Sequence, residues 1–217
     1  EIPSFEDFDV FFHLAWSNMR DLNHSFHFDE AIHSFNLIEK AVNDGVGKII
    51  VFGSCYEFGM SYGPISASRQ TKPNTAYAHA KVSLHENLLR LKARIDYQLA
   101  WVRLFYIYDP VGMGNNVVGL LNQAINRGDE FFPMSGGEQL LDYISTDELA
   151  LKISDFCSRP DISGVYHAAA GEPTSLRGLL EKHIERVGAK IDLKIGVYPY
   201  RNDDSIAIWS QIDDNFI

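Results

Sequence analysis

Lys48-Ile-Ile-Val-Phe-Gly-Ser54 and, after a polar interval, Asn74-Thr-Ala-Tyr-Ala-His-Ala-Lys81 are the stretches on which the fold turns. The first is an apolar run with β-branched residues, the pattern of a strand buried on both faces. The second opens a segment reaching Arg94 in which Ala76, Ala80, Leu84, Leu88 and Leu91 recur at helical spacing, so it predicts a helix over 74–94. Tyr97 to Phe105 predicts the next strand. Upstream, Asp9-Val-Phe-Phe-His-Leu-Ala15 reads as another buried strand. Ala31, Ile32, Phe35, Leu37, Ile38, Ala41 and Val42 mark a helix over 28–42 that Asn43-Asp-Gly45 ends. Parallel neighbours need a crossover, normally a right-handed helix, so this alternation predicts a doubly wound α/β sheet.

Beyond Pro110 the pattern loosens. It predicts helices over 117–127, 146–158 and 175–187 and strands over 130–134, 140–144 and 164–169, with 191–197 alternating as an edge strand does. The polar, proline-containing stretch from Gly59 to Asn74 is a long excursion, and connections of that length are often functional.

Composition narrows the function classes. The chain has 217 residues, 46% hydrophobic and 22% charged, the balance of a globular protein. Its 19 basic and 29 acidic side chains give a formal net charge of -10, which repels phosphate backbones and anionic lipid; the densest basic stretch, Lys81 to Arg94, is mixed with Glu86. Nucleic acid is therefore not an expected partner. Cys55 and Cys157 are too few for a disulfide framework and lack zinc or redox spacing, and the chain shows neither a signal-like start nor an apolar run of the ~20 residues needed to cross a bilayer. The expectation is a cytoplasmic protein without membrane contact or metal.

Tyr77 is the one tyrosine followed four residues later by a lysine, Lys81. One helical turn brings both to one face. A phenol near pKa ~10 is a poor acid-base group at neutral pH, and a neighbouring ammonium favours its phenolate. Ser54 ends a strand, at the carboxyl edge where open α/β sheets bind ligands.

Ser54, Tyr77 and Lys81, in order and approximate spacing, resemble the extended short-chain dehydrogenase/reductase family, also called the NAD-dependent epimerase/dehydratase family. There a strand ending in Ser or Thr and a loop ending in Tyr-Gly precede a Tyr-x-x-x-Lys helix. Further segments agree: His13-Leu-Ala15, Arg103-Leu-Phe-Tyr-Ile-Tyr-Asp-Pro110, Met134-Ser-Gly-Gly-Glu-Gln-Leu-Leu-Asp-Tyr-Ile144 followed by Asp147, and Tyr166-His-Ala-Ala-Ala-Gly171. The resemblance covers about residues 9 to 200. It implies a Rossmann-like doubly wound sheet with a small C-terminal substrate lobe. The dinucleotide-binding part would occupy 1–115, with returning elements near 140–170, and the lobe 116–139 and 171–217. The family's N-terminal βαβ unit with its Gly-rich turn is not found, so the chain reads as clipped there, and again after Ile206-Ala-Ile-Trp-Ser-Gln-Ile-Asp.

The resemblance also implies roles. Tyr77 is the acid-base group, Lys81 holds the nicotinamide ribose and lowers the tyrosine pKa, and Ser54 hydrogen-bonds the reacting oxygen. Leu14 and Ala15 join Tyr77 and Lys81 in binding NAD or NADP. Ser54, Tyr56, Tyr106, Asn115, Asn116 and Arg177 face substrate. Tyr106, Asp109 and Leu141 stand where relatives carry Asn, Gly and a pyrophosphate-binding Arg, a loss that Arg177, Arg127 or Arg201 would have to compensate. Cys55 and Tyr56 replace the Asp and Glu of 4,6-dehydratases. Met134 to Gln139 and Val197-Tyr-Pro-Tyr-Arg201 resemble reductases of nucleotide-activated 4-keto-6-deoxysugars from bacterial surface-polysaccharide synthesis. A UDP-sugar 4-epimerase and a catalytically degenerate nucleotide- or partner-binding homologue are the alternatives. The same resemblance implies a homodimer through helices 28–42 and 74–94, with the Ala/Leu stripe of the second suited to the contact.

Overall fold

The computed structural model describes residues 3–202, 204–213, 215 and 217. Four strands, β1 (Val10–His13), β2 (Lys48–Ser54), β4 (Gln98–Leu104) and β8 (Gly164–Ala168), form one fully parallel sheet in the order β1-β2-β4-β8. Its central strands β2 and β4 are apolar on both sides because both of their sides are covered. Along β2, Ile49 and Val51 point to α1 (Phe26–Asn43) and α2 (Ala76–Lys92), while Ile50 and Phe52 point to α4 (Thr146–Cys157). Leu99 and Trp101 of β4 join the first layer, Ala100 and Val102 the second. A period of two delivers alternate residues to opposite layers.

The second half builds smaller layers. β3 (Gly63–Ile65), β11 (Ala207–Ser210), β7 (Leu140–Ser145) and β5 (Tyr106–Tyr108) form a sheet in the order β3-β11-β7-β5, with β9 (Pro173–Ser175) antiparallel to β7. β6 (Phe131–Pro133) pairs in parallel with β10 (Asp192–Lys194), under α3 (Val117–Arg127) and α5 (Leu176–Val187). Leu141, Phe58, Ile65, Phe105 and Ile208 fill a core of the second sheet.

The structure refines several expectations. The excursion from Gly59 to Asn74 contains β3, which pairs with β11 from the far end of the chain. β5, β9 and β11 are three or four residues long and give no periodic signal of their own. The stretch 191–197 reduces to three paired residues. The Ala/Leu stripe of α2 is corrected: Ala80, Leu84, Leu88 and Leu91 are buried in the layer between α1, α2 and the sheet, so that face is already covered within the chain. The exposed apolar residues of these helices are Phe28, Ile32 and Leu89. No helix among the described residues is long and apolar enough to cross a membrane.

Candidate active site

Ser54 ends β2 in extended conformation and caps the 3₁₀ turn Cys55–Phe58 that follows. Its hydroxyl accepts from the Tyr56 N–H at 3.2 Å, while its own N–H donates to Glu57 Oε1 at 2.8 Å. That reciprocal cap satisfies donors that a helix start leaves unpaired and fixes the serine backbone. Thr75 caps α2 by accepting from the Ala78 N–H at 3.2 Å, and the Tyr77 N–H donates to the Leu22 carbonyl at 2.9 Å. Tyr77 therefore lies in the first turn of the helix at the carboxyl edge of the sheet, where the Ser54 side chain acts on its phenol. One turn on, Lys81 is buried, and its Nζ donates to the Phe52 carbonyl at 2.8 Å. The three sequence-predicted groups come together.

Above them lies Trp16. Its ring centroid is 3.8 Å from Lys81 Nζ, and its edge meets Tyr77 at 5.7 Å. The indole N–H donates to His27 Nδ1 at 3.0 Å, so the proton of that imidazole is on Nε2, which donates to the Asp21 carbonyl at 2.9 Å. The ammonium thus rests between a carbonyl and an indole face.

The electrostatics differ from the expected lowering of the phenol. Burial pushes the Tyr77 pKa up, with Glu57 and Cys55 adding to the rise and the Ser54 hydrogen bond opposing it. Lys81 does not offset this, being drawn to the Phe52 carbonyl and Trp16 with its Nζ 5.9 Å from the Tyr77 ring centroid. Burial also lowers Lys81 to about 7, against the upward pull of Glu57 and Glu30. His13, at the end of β1, is held down at about 4 by burial and by the Lys81 charge, and its Nδ1 has no partner among the described residues.

The other predicted residues divide. Tyr56 packs against Tyr77 at 6.2 Å and against Tyr106 at 6.4 Å, so an aromatic wall continues from the phenol toward β5. Tyr106 donates from its hydroxyl to the Asp204 carboxylate, bringing the C-terminal segment to that wall. Asn116 spends its side chain capping α3, accepting from the Gly119 N–H at 2.8 Å, and Asn115 beside it is exposed. Arg177 lies on α5 and pairs with Glu181 at 2.6 Å in solvent. Leu14 and Ala15 are exposed after β1; Leu14 lines an apolar groove of about 740 Å³ with Phe12, Phe52 and Leu104 against α4. Leu141 is a core residue between strands, Asp109 accepts from the N–H groups of Val111 and Gly112, and Arg127 pairs with Asp129.

Trp16, Glu57 and Asp204 were not expected at the site. An aromatic directly after His13-Leu-Ala15 and an acid three residues after the strand-end serine were the available signals; Asp204 had none.

Residues 1–160 match the NAD dependent epimerase/dehydratase family. The chain belongs to that family. It is 29% identical over 201 residues to the dTDP-6-deoxy-L-talose 4-dehydrogenase (NAD(+)) of Aggregatibacter actinomycetemcomitans, covering 91% of this chain and 73% of that protein. Its fold matches a UDP-N-acetylglucosamine 4-epimerase from Methanobrevibacter ruminantium M1 with a TM-score of 0.83 at 24% identity, covering 95% of this chain and 68% of that one. A UDP-glucose-4-epimerase from Stenotrophomonas maltophila gives 0.79 at 18%, covering 98% and 73%. The Rossmann-like α/β class and the family expected from sequence are both met, and with them an NAD-dependent oxidoreductase or epimerase.

Proposed function

We propose that this family member reduces the C4 ketone of a nucleotide-activated 4-keto-6-deoxysugar, with Ser54, Tyr77 and Lys81 as its catalytic group. The observation that carries the reading is the meeting of these three side chains at the carboxyl edge of a parallel sheet. Similarity to a dehydrogenase named for C4 of a 6-deoxysugar supports this choice of reaction.

The residues at the site fit a nicotinamide cofactor. The Lys81 ammonium has one donor engaged by a carbonyl, leaving others for ribose hydroxyls, and the unpartnered His13 Nδ1 lies near it at the same sheet edge. Lys81, with Leu14 and Ala15 at the end of β1, would hold the cofactor, NAD or NADP. When bound, the cofactor supplies the hydride. Ser54 orients the ketone oxygen and Tyr77 gives it a proton. A phenol raised by burial stays neutral, the state a proton donor needs. Tyr56 and Tyr106 offer rings to the sugar, Asn116 and Arg177 come from the lobe assigned to 116–139 and 171–217, and Asn115 ends the Rossmann part that this lobe completes for nucleotide recognition. A homodimer through the outward faces of α1 and α2, carrying Phe28, Ile32 and Leu89, and a cytosolic location belong to the same reading.

The test is oxidation of NADH and NADPH, followed by absorbance, with a panel of nucleotide-linked 4-keto-6-deoxysugars, beside Tyr77→Phe. Consumption by the parent and a loss of about 10²–10⁴-fold in the variant are expected. Equal rates overturn the role of Tyr77. Interconversion of UDP-sugar C4 epimers without net consumption of cofactor replaces reduction by epimerisation.

A further inference from the structure

Glu57 lies in the turn after Ser54 and is wholly buried. Its carboxylate is surrounded by donors. Oε1 accepts from the Ser54 N–H at 2.8 Å and from Trp101 Nε1 at 3.0 Å; Oε2 accepts from Trp101 Nε1 at 3.1 Å and from Arg103 Nε at 2.7 Å. Arg103 is itself buried and donates from Nη1 to the Ala67 carbonyl at 2.9 Å, while its guanidinium lies 4.8 Å from the Phe58 ring centroid. Two side chains of β4 thus clamp an acid whose other contact is the main chain of Ser54. The clamp presses on the strand as well: a Cβ added at Gly53 would stand 2.4 Å from both Glu57 Oε1 and Trp101 Nε1. Glycine at 53 is the residue that leaves room for the carboxylate.

A buried ion pair is an inefficient way to stabilise a core, because desolvation of both charges offsets most of their attraction and apolar packing of equal volume does as well or better. The geometry here gives the pair a different use. We propose that Glu57 is a positioning residue: its carboxylate, held by Arg103 and Trp101, fixes the Ser54 main chain so that the hydroxyl serves Tyr77, and it keeps an anion beside the phenol and the ammonium. The proposal rests on the catalytic roles assigned above to Ser54, Tyr77 and Lys81.

The charge has a calculable direction. An anion favours the neutral phenol and the charged ammonium, and Glu57 acts upward on both Tyr77 and Lys81. The other titratable groups facing the pair are Cys55 and Tyr56 from the same turn, His27 and Glu30 from α1, and His13 from β1. On α2 itself His85 stacks on Trp101 at 4.5 Å, with burial first and Arg103 second lowering its pKa. Among these, Glu57 alone contacts the Ser54 N–H.

The experiment uses the full chain in three variants, Glu57→Gln, Arg103→Met and the double variant. The Lys81 titration is followed by carbon-13 NMR of labelled lysine, assigned by its loss in Lys81→Met. Removal of the anion should lower the Lys81 midpoint by about one pH unit, and removal of the guanidinium, a cation with a weaker effect on the ammonium than Glu57, should raise it by less. The double variant, which removes both charges and packs without an unpaired ion, should titrate between Glu57→Gln and the parent and guards against a misfolded single variant. With the sugar substrate, Glu57→Gln should lose ~10–100-fold in kcat with KM within about threefold of the parent, as expected of lost orientation. A midpoint unmoved in both single variants, or moved in the same direction in both, overturns the proposal, as does a Glu57→Gln kcat equal to the parent. The NMR reading needs no turnover. Failure of the catalytic reading shows instead in Tyr77→Phe.

Discussion

Ser54, Tyr77 and Lys81 sit among side chains that are closed to solvent and tied to one another, whereas Asn115 and Arg177, assigned to substrate, stand in solvent on the ends of α3 and α5. The first region inherits its geometry from the main sheet: β2 delivers the serine, α2 the tyrosine and lysine, and β4 the Trp101 and Arg103 that hold Glu57. The second is assembled from three- and four-residue strands and helix ends. Proton transfer requires fixed distances, which a close-packed interior supplies. Recognition of different sugars and nucleotides is compatible with a surface whose residues can change without disturbing the core.

Substitutions at the two regions should separate accordingly. The largest effect is expected from Lys81→Met: loss of turnover by about 10²–10⁴-fold, with the dinucleotide dissociation constant also raised, measured by initial rates and by titration calorimetry. Leu88→Ala tests whether the frame makes the site. This residue is fully buried between α1, α2 and the sheet, so truncation should lower unfolding stability by about 2–5 kcal/mol in urea melts. Full stability after that change would break the idea that the interior positions the catalytic group.

Acid should act on the buried region next. His13 and His167 are both held down at about 4, mainly by burial, against the usual 6.5 of an unfolded chain. A folded pKa below the unfolded one contributes stability that is complete above about pH 6.5 and is lost as pH falls toward 4. The slope is at most about 1.4 kcal/mol per pH unit for each histidine. The Tm should therefore decline between pH 6.5 and 4, and a Tm independent of pH over that window would contradict the burial of these rings. The smallest structural effect is expected at Arg177→Ala. Its pair with Glu181 is more than half exposed on both sides, so stability should change by no more than about 1 kcal/mol. If Arg177 meets the nucleotide, KM for the sugar substrate rises while kcat and Tm hold; an unchanged KM removes it from the site.

Legibility in the sequence follows the same division. The strands of the main sheet were readable because burial on both faces leaves long apolar runs, and α1, α2, α3, α4 and α5 because their apolar residues recur at helical spacing. β3, β5, β9 and β11 were not, since three or four residues carry too few repeats of any period and their pairing depends on partners distant in sequence, as Ile208 opposite Gly63 illustrates. Among site residues, Tyr77 and Lys81 declared themselves by their four-residue spacing and Ser54 by its place at a strand end. The Ala/Leu stripe of α2 was misjudged because such a stripe looks the same whether it covers its own sheet or a second chain.

The sequence by itself determined the alternating α/β order, the common face of Tyr77 and Lys81, and membership in a family, all of which rest on local periodicity and ordered motifs. Only the tertiary structure decided what surrounds them: Trp16 over the ammonium, Glu57 beneath the serine with Arg103 from 46 residues away, and Tyr106 bonded to Asp204 across 98 residues. It also decided the sign of the Tyr77 shift. Spacing brings a lysine one turn from a tyrosine, but how far each is taken out of water is a property of every layer packed over them, and here desolvation, with Glu57 adding to it, outweighs the lowering influence of Ser54.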